Sequence, residues 1–475
     1  MPFPLRIAVI GGGMAGLAAA EEAVALAASA EQPVEITLVE AAGRVGGVLS
    51  TVRQDGWLIE RSADNFLAAR PEAVQLVERL GLQGQLVGVD PRVRRALVWH
   101  EGRAVPAPHG FRLLAPGRIG PMLSTPLLSP AGRLRLLMER FVPRRSTPGD
   151  ESLESFVVRR LGREAFERLV QPLAAGIWTA DPARLSMAAA CGEFLAMERE
   201  QGSLWAGEQR RARAAAAPSA AGARYGQFLT LTSGMETLPA RLAERLRERG
   251  VRFVDAAAAG LERLPGGSRR VARAGREGAG TVIDADAVVV AVPATVAARL
   301  IASIEPALTA DLSGIEYAGS AVISLGFARA DVTHPLDAAG MVIPRRAGRR
   351  ILAVSFSSSK YPGRAPEGSV LLRVFAGGAL DPDVVRRDDA TLETIAREEV
   401  AELLGARGTP RVVQIDRWHG AMPQYHVGHA ERVARIMERT AAVRGLGLAG
   451  AAFTGVGIPQ VIASGQAAAR QACAG

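Results

Sequence analysis

A short apolar run, Ile7 to Ile10, precedes a cluster of glycines near the start of the chain. Ala15 to Ala28 follows, rich in alanine with Glu21 and Glu22, and reads as a helix. Val34 to Val39 is a second apolar run, closed by Glu40. Strand, helix and strand in that order predict a βαβ unit. The same pattern returns far downstream. Thr237 to Arg249 has the spacing of an amphipathic helix, and Val251 to Val254 and Ala287 to Val292 read as strands. Pro265 to Gly280 between them reads as a hairpin tip or loop. Leu446 to Ala472 reads strand, glycine turn, helix.

The middle of the chain has a different rhythm. Gly56 to Glu60 and the stretch after it read as extended chain and loop, and Pro71 to Leu204 reads mainly helical with Gly and Pro interruptions. Gly207 to Gln227 is expected to include a loop. Ala318 to Phe375 alternates short apolar runs with turns, which predicts an antiparallel sheet, and Glu393 to Leu404 reads as a helix. No solenoid repeat is present. The 475 residues, 48% of them hydrophobic, call for two or three substructures. The expected fold class is α/β, α+β overall.

Charge and cysteine content narrow the function. The net charge is +9, yet no block of five Lys/Arg and no zinc-finger or RNA-binding signature occurs, so nucleic acid is not an expected partner. Only Cys191 and Cys473 are present, which implies no disulfide framework and a reducing cytoplasm. The N-terminus has no signal-peptide pattern, and no run of eighteen apolar residues exists to span a bilayer. His426 and His429 stand three apart, as on one helical face, but without further ligands no metal is expected. Leu113 to Arg145 mixes Leu, Met and Pro with arginines, and Glu139 is its only acid. It reads either as a core-packing helical region or as a surface for lipid or an acidic substrate.

Gly11-x-Gly13-x-x-Gly16 follows the first strand and opens the first helix. The first glycine permits the turn, the second lets a diphosphate approach the backbone, and the third lets helix and strand pack closely. The helix N-terminus offers free N–H groups to phosphate, with Met14 and Ala15 in its first turn. Glu40, 24 residues after Gly16, can accept ribose hydroxyls. Ala41, Arg44, Gly46 and Gly47 come directly after it, and this second pair of glycines suits an extended cofactor, FAD rather than NAD.

Gly11 to Gly47 resembles the amine-oxidase-type flavoprotein superfamily. More narrowly, the chain resembles the oxygen-dependent porphyrinogen oxidases of haem synthesis. The resemblance is carried by Ile59-Glu60-Arg61, Asn65-Phe66-Leu67, Gly176 to Asp181, Leu185-Ser186, Met422 to His429 and Gly450 to Pro459, which span nearly the full length in the family's order. It implies a Rossmann-like FAD domain assembled from discontinuous segments (1–70, 227–300 and 440–475), an antiparallel-sheet substrate domain (71–90 and 301–439) and a mainly helical, membrane-associated domain (91–226). Gly450 would lie near the diphosphate, Gly455, Val456, Gly457 and Ile458 near the isoalloxazine, and Ala258 near the adenine side.

The implied reaction is six-electron oxidation of coproporphyrinogen III to coproporphyrin III, with hydride transfer to flavin N5, oxygen as acceptor and hydrogen peroxide as by-product. No catalytic side chain beyond the flavin is expected, because the cofactor carries the hard step. Arg70 and Arg95 match propionate-binding positions, and arginine suits carboxylates because its planar fork binds them bidentately. Val342, Ser355 and Phe375 match positions that clamp the macrocycle, and Gly176 a backbone contact to it. Ser355 is more polar than usual there, which favours a substrate with four carboxylates. Ser62-Ala63, Trp178 to Ala180 and Ala451-Ala452 also depart from the family's pattern. Three readings stay beside the first: protoporphyrinogen IX as substrate, a flavin-holding porphyrin-binding partner without turnover, and an amine or carotenoid oxidase. Expected partners are the porphyrinogen, oxygen, a ferrochelatase-type downstream enzyme and a peripheral membrane surface, for a cytoplasmic monomer or homodimer.

Overall fold

The computed structural model describes residues 4–117, 119–215, 228–265, 267–274 and 282–474. Residues 216–227 of the loop expected at Gly207 to Gln227 lie outside this set, as do residues 266 and 275–280 of the expected hairpin tip. The start of that expected loop is instead the end of a helix, Leu204–Ala215.

Five parallel strands form the sheet at the N-terminus, in the order Arg252–Asp255, Val34–Glu40, Leu5–Ile10, Ala287–Val290, Leu446–Leu448. Alternation along the central strand decides what covers each face. Ile7 and Val9 point into one cluster with the helices Met14–Ser29, Thr237–Glu248 and Ile458–Cys473. Ala8 and Ile10 point into another, beneath the antiparallel strands Ala257–Arg263, Arg269–Ala274 and Val282–Ala285. Arg269–Ala274 lies inside the stretch read as a loop. Its alternating Arg, Val and Ala are a strand pattern that the flanking glycines masked.

The second large sheet has seven strands, in the order Val412–Pro423, Tyr317–Ala328, Ser369–Gly377, Ala353–Phe356, Gly340–Val342, Ala96–His100, Arg103–Pro106. It is antiparallel except where Gly340–Val342 runs parallel to Ala96–His100. One face packs on the helix Asp389–Leu404. The opposite face carries Val98, Val342, Ala353, Phe375, Ser355 and Arg373. Over its far end lies Trp57, from the hairpin Thr51–Gln54 and Trp57–Glu60. Gly326 makes room for that indole, since a Cβ there would sit 2.5 Å from it.

The helical reading of Pro71 to Leu204 fails between Leu86 and Pro116, which holds short strands. Ala96–His100 carries the strand formers Val98 and Trp99, and its tertiary partner Gly340–Val342 was too distant in sequence to be seen. Helices do dominate from Ile119 to Ala215. Their core centres on Phe156, Phe166, Leu169 and Phe194. Leu113 to Arg145 divides between core and surface. Leu114, Met122, Leu128 and Leu136 are buried. Ile119, Leu123, Leu134, Met138 and Phe141 are exposed, Phe141 by 74%.

A buried ion network holds this helical layer. Arg160 is fully buried against Glu139 and reaches Glu198 at 3.3 Å, while also donating to the carbonyls of Val142 and Gly202 at 2.9 Å each. Glu139 further accepts from Ser203 Oγ and from the amide of Leu204. The only acid of the arginine-rich stretch is therefore spent inside. Deleting one partner of such a pair leaves an uncompensated buried charge, which costs about 3–5 kcal/mol. Arg160→Met is expected to lower stability by that amount in urea denaturation. A loss under about 1 kcal/mol, the scale of an exposed ion pair, would show the network to be marginal.

Candidate functional site

The first glycine turn is built by close backbone approach. Gly11 has φ of +104°, and a Cβ there would lie 2.4 Å from the carbonyl oxygen of Ala291. A Cβ on Gly16 would lie 1.8 Å from the Gly11 carbonyl oxygen. Either side chain would force the helix off the sheet. Gly13 N-caps the helix without any side-chain cap, and Met14 and Ala15 are buried in its first turn. The helix thus keeps its free amides and the positive end of its dipole for a ligand.

Glu40 reaches back to this turn. One carboxylate oxygen accepts the Gly12 amide at 2.6 Å and the other the Ala42 amide at 2.8 Å. Each oxygen keeps a second lone pair. Ala41 is exposed beside it. The Gly46 amide donates to the Gly12 carbonyl at 2.8 Å, and Gly47 (φ +58°) faces Gly13 with no side chain between them. Arg44 donates to the Gly47 carbonyl at 2.7 Å. Ala256 bonds the Glu40 carbonyl, and Ala258 follows at a bulge in the antiparallel layer. The residues from Gly11 to Gly47 therefore form one cradle.

The C-terminal glycines return to the same place. A Cβ on Gly465 would lie 2.1 Å from the Ala15 carbonyl oxygen, so the last helix lies directly on the first. Gly450 and Gly455 have φ of +138° and +136°, and Val456, Gly457 and Ile458 lead into that last helix. Gly465 was not singled out in the sequence. Its neighbours along the chain give no signal, because the backbone it touches belongs to the opposite end of the chain.

The Met422 to His429 segment fastens this return. Tyr425 donates its hydroxyl to the Ala451 carbonyl, and His429 Nε2 bonds the Ala452 carbonyl at 2.9 Å. The two rings stack with centroids 4.4 Å apart. Asp150 joins in from the helical layer, accepting the Gly428 amide and the Ser186 hydroxyl. His426 lies before the helix that His429 opens, so the two histidines do not share a helical face. Among the described residues no group of three potential metal ligands is present.

Val342, Ser355 and Phe375 are brought together on one face of the seven-stranded sheet, each half-buried. Val342 and Val456 pack against the same helical cluster, which includes Trp178 and Tyr425. Gly176 lies in the helix Gln171–Trp178, with open space where a Cβ would project. Arg70 and Arg95 are not brought to this face. Arg70 is exposed at the start of the helix Pro71–Arg79, and Arg95 pairs with Asp337 at the surface. Sequence reasoning missed Arg373, which is 1% exposed. Its position two before Phe375 on a strand was the available signal.

The departures from the family pattern are each tied down. Arg373 donates to the Ser62 carbonyl, and Trp418 Nε1 donates to the Arg61 carbonyl at 2.9 Å. The Ala379 amide donates to the Thr179 carbonyl at 2.8 Å. Burial would raise the Asp64 carboxyl, but Lys360 and Arg373 overcome it and hold it at about 2.

Residues 14–473 match a family described as flavin containing amine oxidoreductase. The chain belongs to this family. A coproporphyrinogen III oxidase of Bacillus subtilis is 34% identical over 98% of this chain and 97% of its own length. A chloroplastic protoporphyrinogen oxidase of Nicotiana tabacum is 28% identical over 96% of this chain and 83% of its own. A crystal structure from Exiguobacterium, described as a putative protoporphyrinogen oxidase, superposes with a TM-score of 0.84 at 28% identity, covering 99% of this chain and 98% of that one. Putrescine oxidase, at 16% identity and a TM-score of 0.68, shares the fold. The flavoprotein is thus an oxidoreductase, and its cofactor is FAD. The cradle that a Cβ would fill at Gly11 and Gly16, with an uncapped helix start beside it, fits a dinucleotide.

Burial lowers the His429 pKa from its ordinary 6.5 to about 4. Unfolding lets the ring take up a proton between those values, so the folded state loses stability as pH falls from 6.5 to about 4. Thermal unfolding followed across that window should show this loss. In His429→Gln the slope should flatten, and an unchanged slope would assign the pH dependence to other groups.

Proposed function

We propose that this flavoprotein is an oxygen-linked porphyrinogen oxidase that acts on coproporphyrinogen III in preference to protoporphyrinogen IX. The observation that carries it is the sheet face on which Val342, Ala353 and Phe375 form an apolar wall directly beside Ser355 and the buried Arg373. A flat macrocycle with a carboxylate fringe needs that combination. The similarity to the Bacillus subtilis coproporphyrinogen III oxidase supports the same substrate.

Gly11, Gly13, Met14, Ala15 and Gly16 would hold the FAD diphosphate through backbone amides, and Glu40 the ribose. Ala41, Arg44, Gly46 and Gly47 would line its path, with Ala258 on the adenine side and Gly450 and Gly455 to Ile458 on the flavin side. Bound FAD supplies the two-electron acceptor. The protein's own part is to hold the macrocycle flat between Val342 and Phe375, with Gly176 giving the space for it. The anchored loops at Ser62 and Thr179 keep water from the bridge carbons. No side chain is required to move a proton from carbon.

Incubating the FAD-loaded protein aerobically with each porphyrinogen and following porphyrin fluorescence tests this reading. Coproporphyrinogen III should be oxidised with a kcat/KM at least about tenfold above that for protoporphyrinogen IX, since one lost charge-assisted hydrogen bond is worth that much. No fluorescence gain with either, and no anaerobic bleaching of the flavin, would instead favour a porphyrin-binding partner without turnover.

A lipid contact is favoured by one further observation. Ile119, Leu123, Leu134, Met138 and Phe141 are exposed in the arginine-rich stretch whose sole acid, Glu139, is buried. Among the described residues no helix is long and apolar enough to cross a membrane, so the contact proposed is peripheral. The protein should sediment with vesicles containing anionic lipid at low salt, and Phe141→Ser with Leu134→Ser should release it. Protein left in the supernatant at low salt would overturn the contact.

A further inference from the structure

Three neighbouring strands of the seven-stranded sheet place Ser324, Arg373 and Ser355 in one row. Ser324 stands opposite Arg373, and Arg373 opposite Ser355. Cβ atoms so paired lie about 4.5–5.5 Å apart, so a group held by the central Arg373 comes within reach of the serine on either side. Each of the three has a buried polar atom without a hydrogen-bond partner: Ser324 Oγ, Arg373 Nε and Ser355 Oγ. Each is a buried hydrogen-bonding atom free to pair with a ligand.

The local charge has the matching sign. Lys360, Arg364 and Arg373 are all buried. They share two carboxylates. Arg364 lies 3.2 Å from Glu60, whereas Lys360 and Arg373 both turn to the same oxygen of Asp64, at 2.6 and 3.3 Å. One buried positive charge is thus uncompensated within the cluster, and an uncompensated buried charge is costly. A carboxylate would supply both the charge and the acceptors. The row opens at Ser355, which is half-buried between the apolar wall and Arg373.

We propose that Ser324, Arg373 and Ser355 form a carboxylate subsite that takes one propionate-type side chain of the macrocycle and so sets specificity. Arg373 Nε and the two serine hydroxyls donate to the carboxylate. Arg373 keeps its remaining nitrogens on Ser62 and Asp64. This cation is buried in the sheet, whereas Arg70 and Arg95 are exposed. The subsite rests on the porphyrinogen reading for its ligand, but binding can be measured apart from turnover.

The experiment uses the FAD-loaded full chain and two probes, coproporphyrin III and its tetramethyl ester, whose binding is read by fluorescence quenching. The wild-type protein should prefer the free acid. Ser324→Ala with Ser355→Ala, which leaves the Arg373 anchors in place, should reduce that preference about tenfold. Arg373→Gln should abolish it if FAD is retained, and the double serine variant decides alone if it is not. With coproporphyrinogen III the double serine variant should raise KM and leave kcat within about twofold, as for lost uniform binding. No acid preference in the wild type, or an equal preference in the double variant, overturns the subsite. Acid preference without any porphyrinogen turnover would leave the subsite standing and remove the proposed oxidase activity instead.

Discussion

The backbone of the last helix rests on the backbone of the first, with Gly465 against the Ala15 carbonyl and nothing between them. Much of the molecule depends on that approach. It lets the strand Leu446–Leu448 reach the edge of the parallel sheet. It also brings Ile458 into the same core as Met14 and Ala15. A methyl group at Gly465 would have to displace one helix. Burial of alanine faces drives the two helices together, because small side chains leave no other way to fill the space between them.

The two sheets have different tasks. The parallel sheet presents amides, glycines and one carboxylate, which is what a dinucleotide asks for. The seven-stranded sheet presents a wall that is apolar along one register row and cationic along the next. The hairpin through Trp57 and the loop through Asp64 join them, anchored by Arg61 on Asp416 at 2.6 Å and by Lys360 on Asp64. These buried ion pairs do not add much net stability, since desolvation opposes them. Their geometry fixes where the loop lies, and so fixes the spacing between the parallel sheet and the seven-stranded sheet.

The helical layer is tied in by its own charges. Glu139 and Arg160 neutralise one another in its core, and Asp150 reaches across to Gly428. The unusual loops at Ser62-Ala63 and Trp178 to Ala180 are held by contacts from the sheet, so their altered sequence does not leave them slack. Hydrogen bonds from outside, made by Arg373 and by the Ala379 amide, replace conformational restriction within each loop.

Local pattern determined a good part of this. The order strand, glycine turn, helix, strand, acid is fixed by neighbours along the chain, and so was readable, as were the helices Thr237–Glu248 and Asp389–Leu404. The clamp positions Val342, Ser355 and Phe375 came from resemblance, and only the sheet register showed that they share a face. The strand Ala96–His100 was misread as part of a helical stretch, because its reason to be a strand is a distant partner, Gly340–Val342. Distance along the chain also hid Arg373, whose significance lies in Ser324 and Ser355 on the strands to either side. Arg95 came from resemblance, and only the fold shows that it pairs with Asp337. The chain alone named the cofactor's cradle, because a diphosphate is held by consecutive backbone amides. The tertiary structure decided which side chains share the sheet face of Val342, Ser355, Phe375 and Arg373, because they come from strands that meet only after folding.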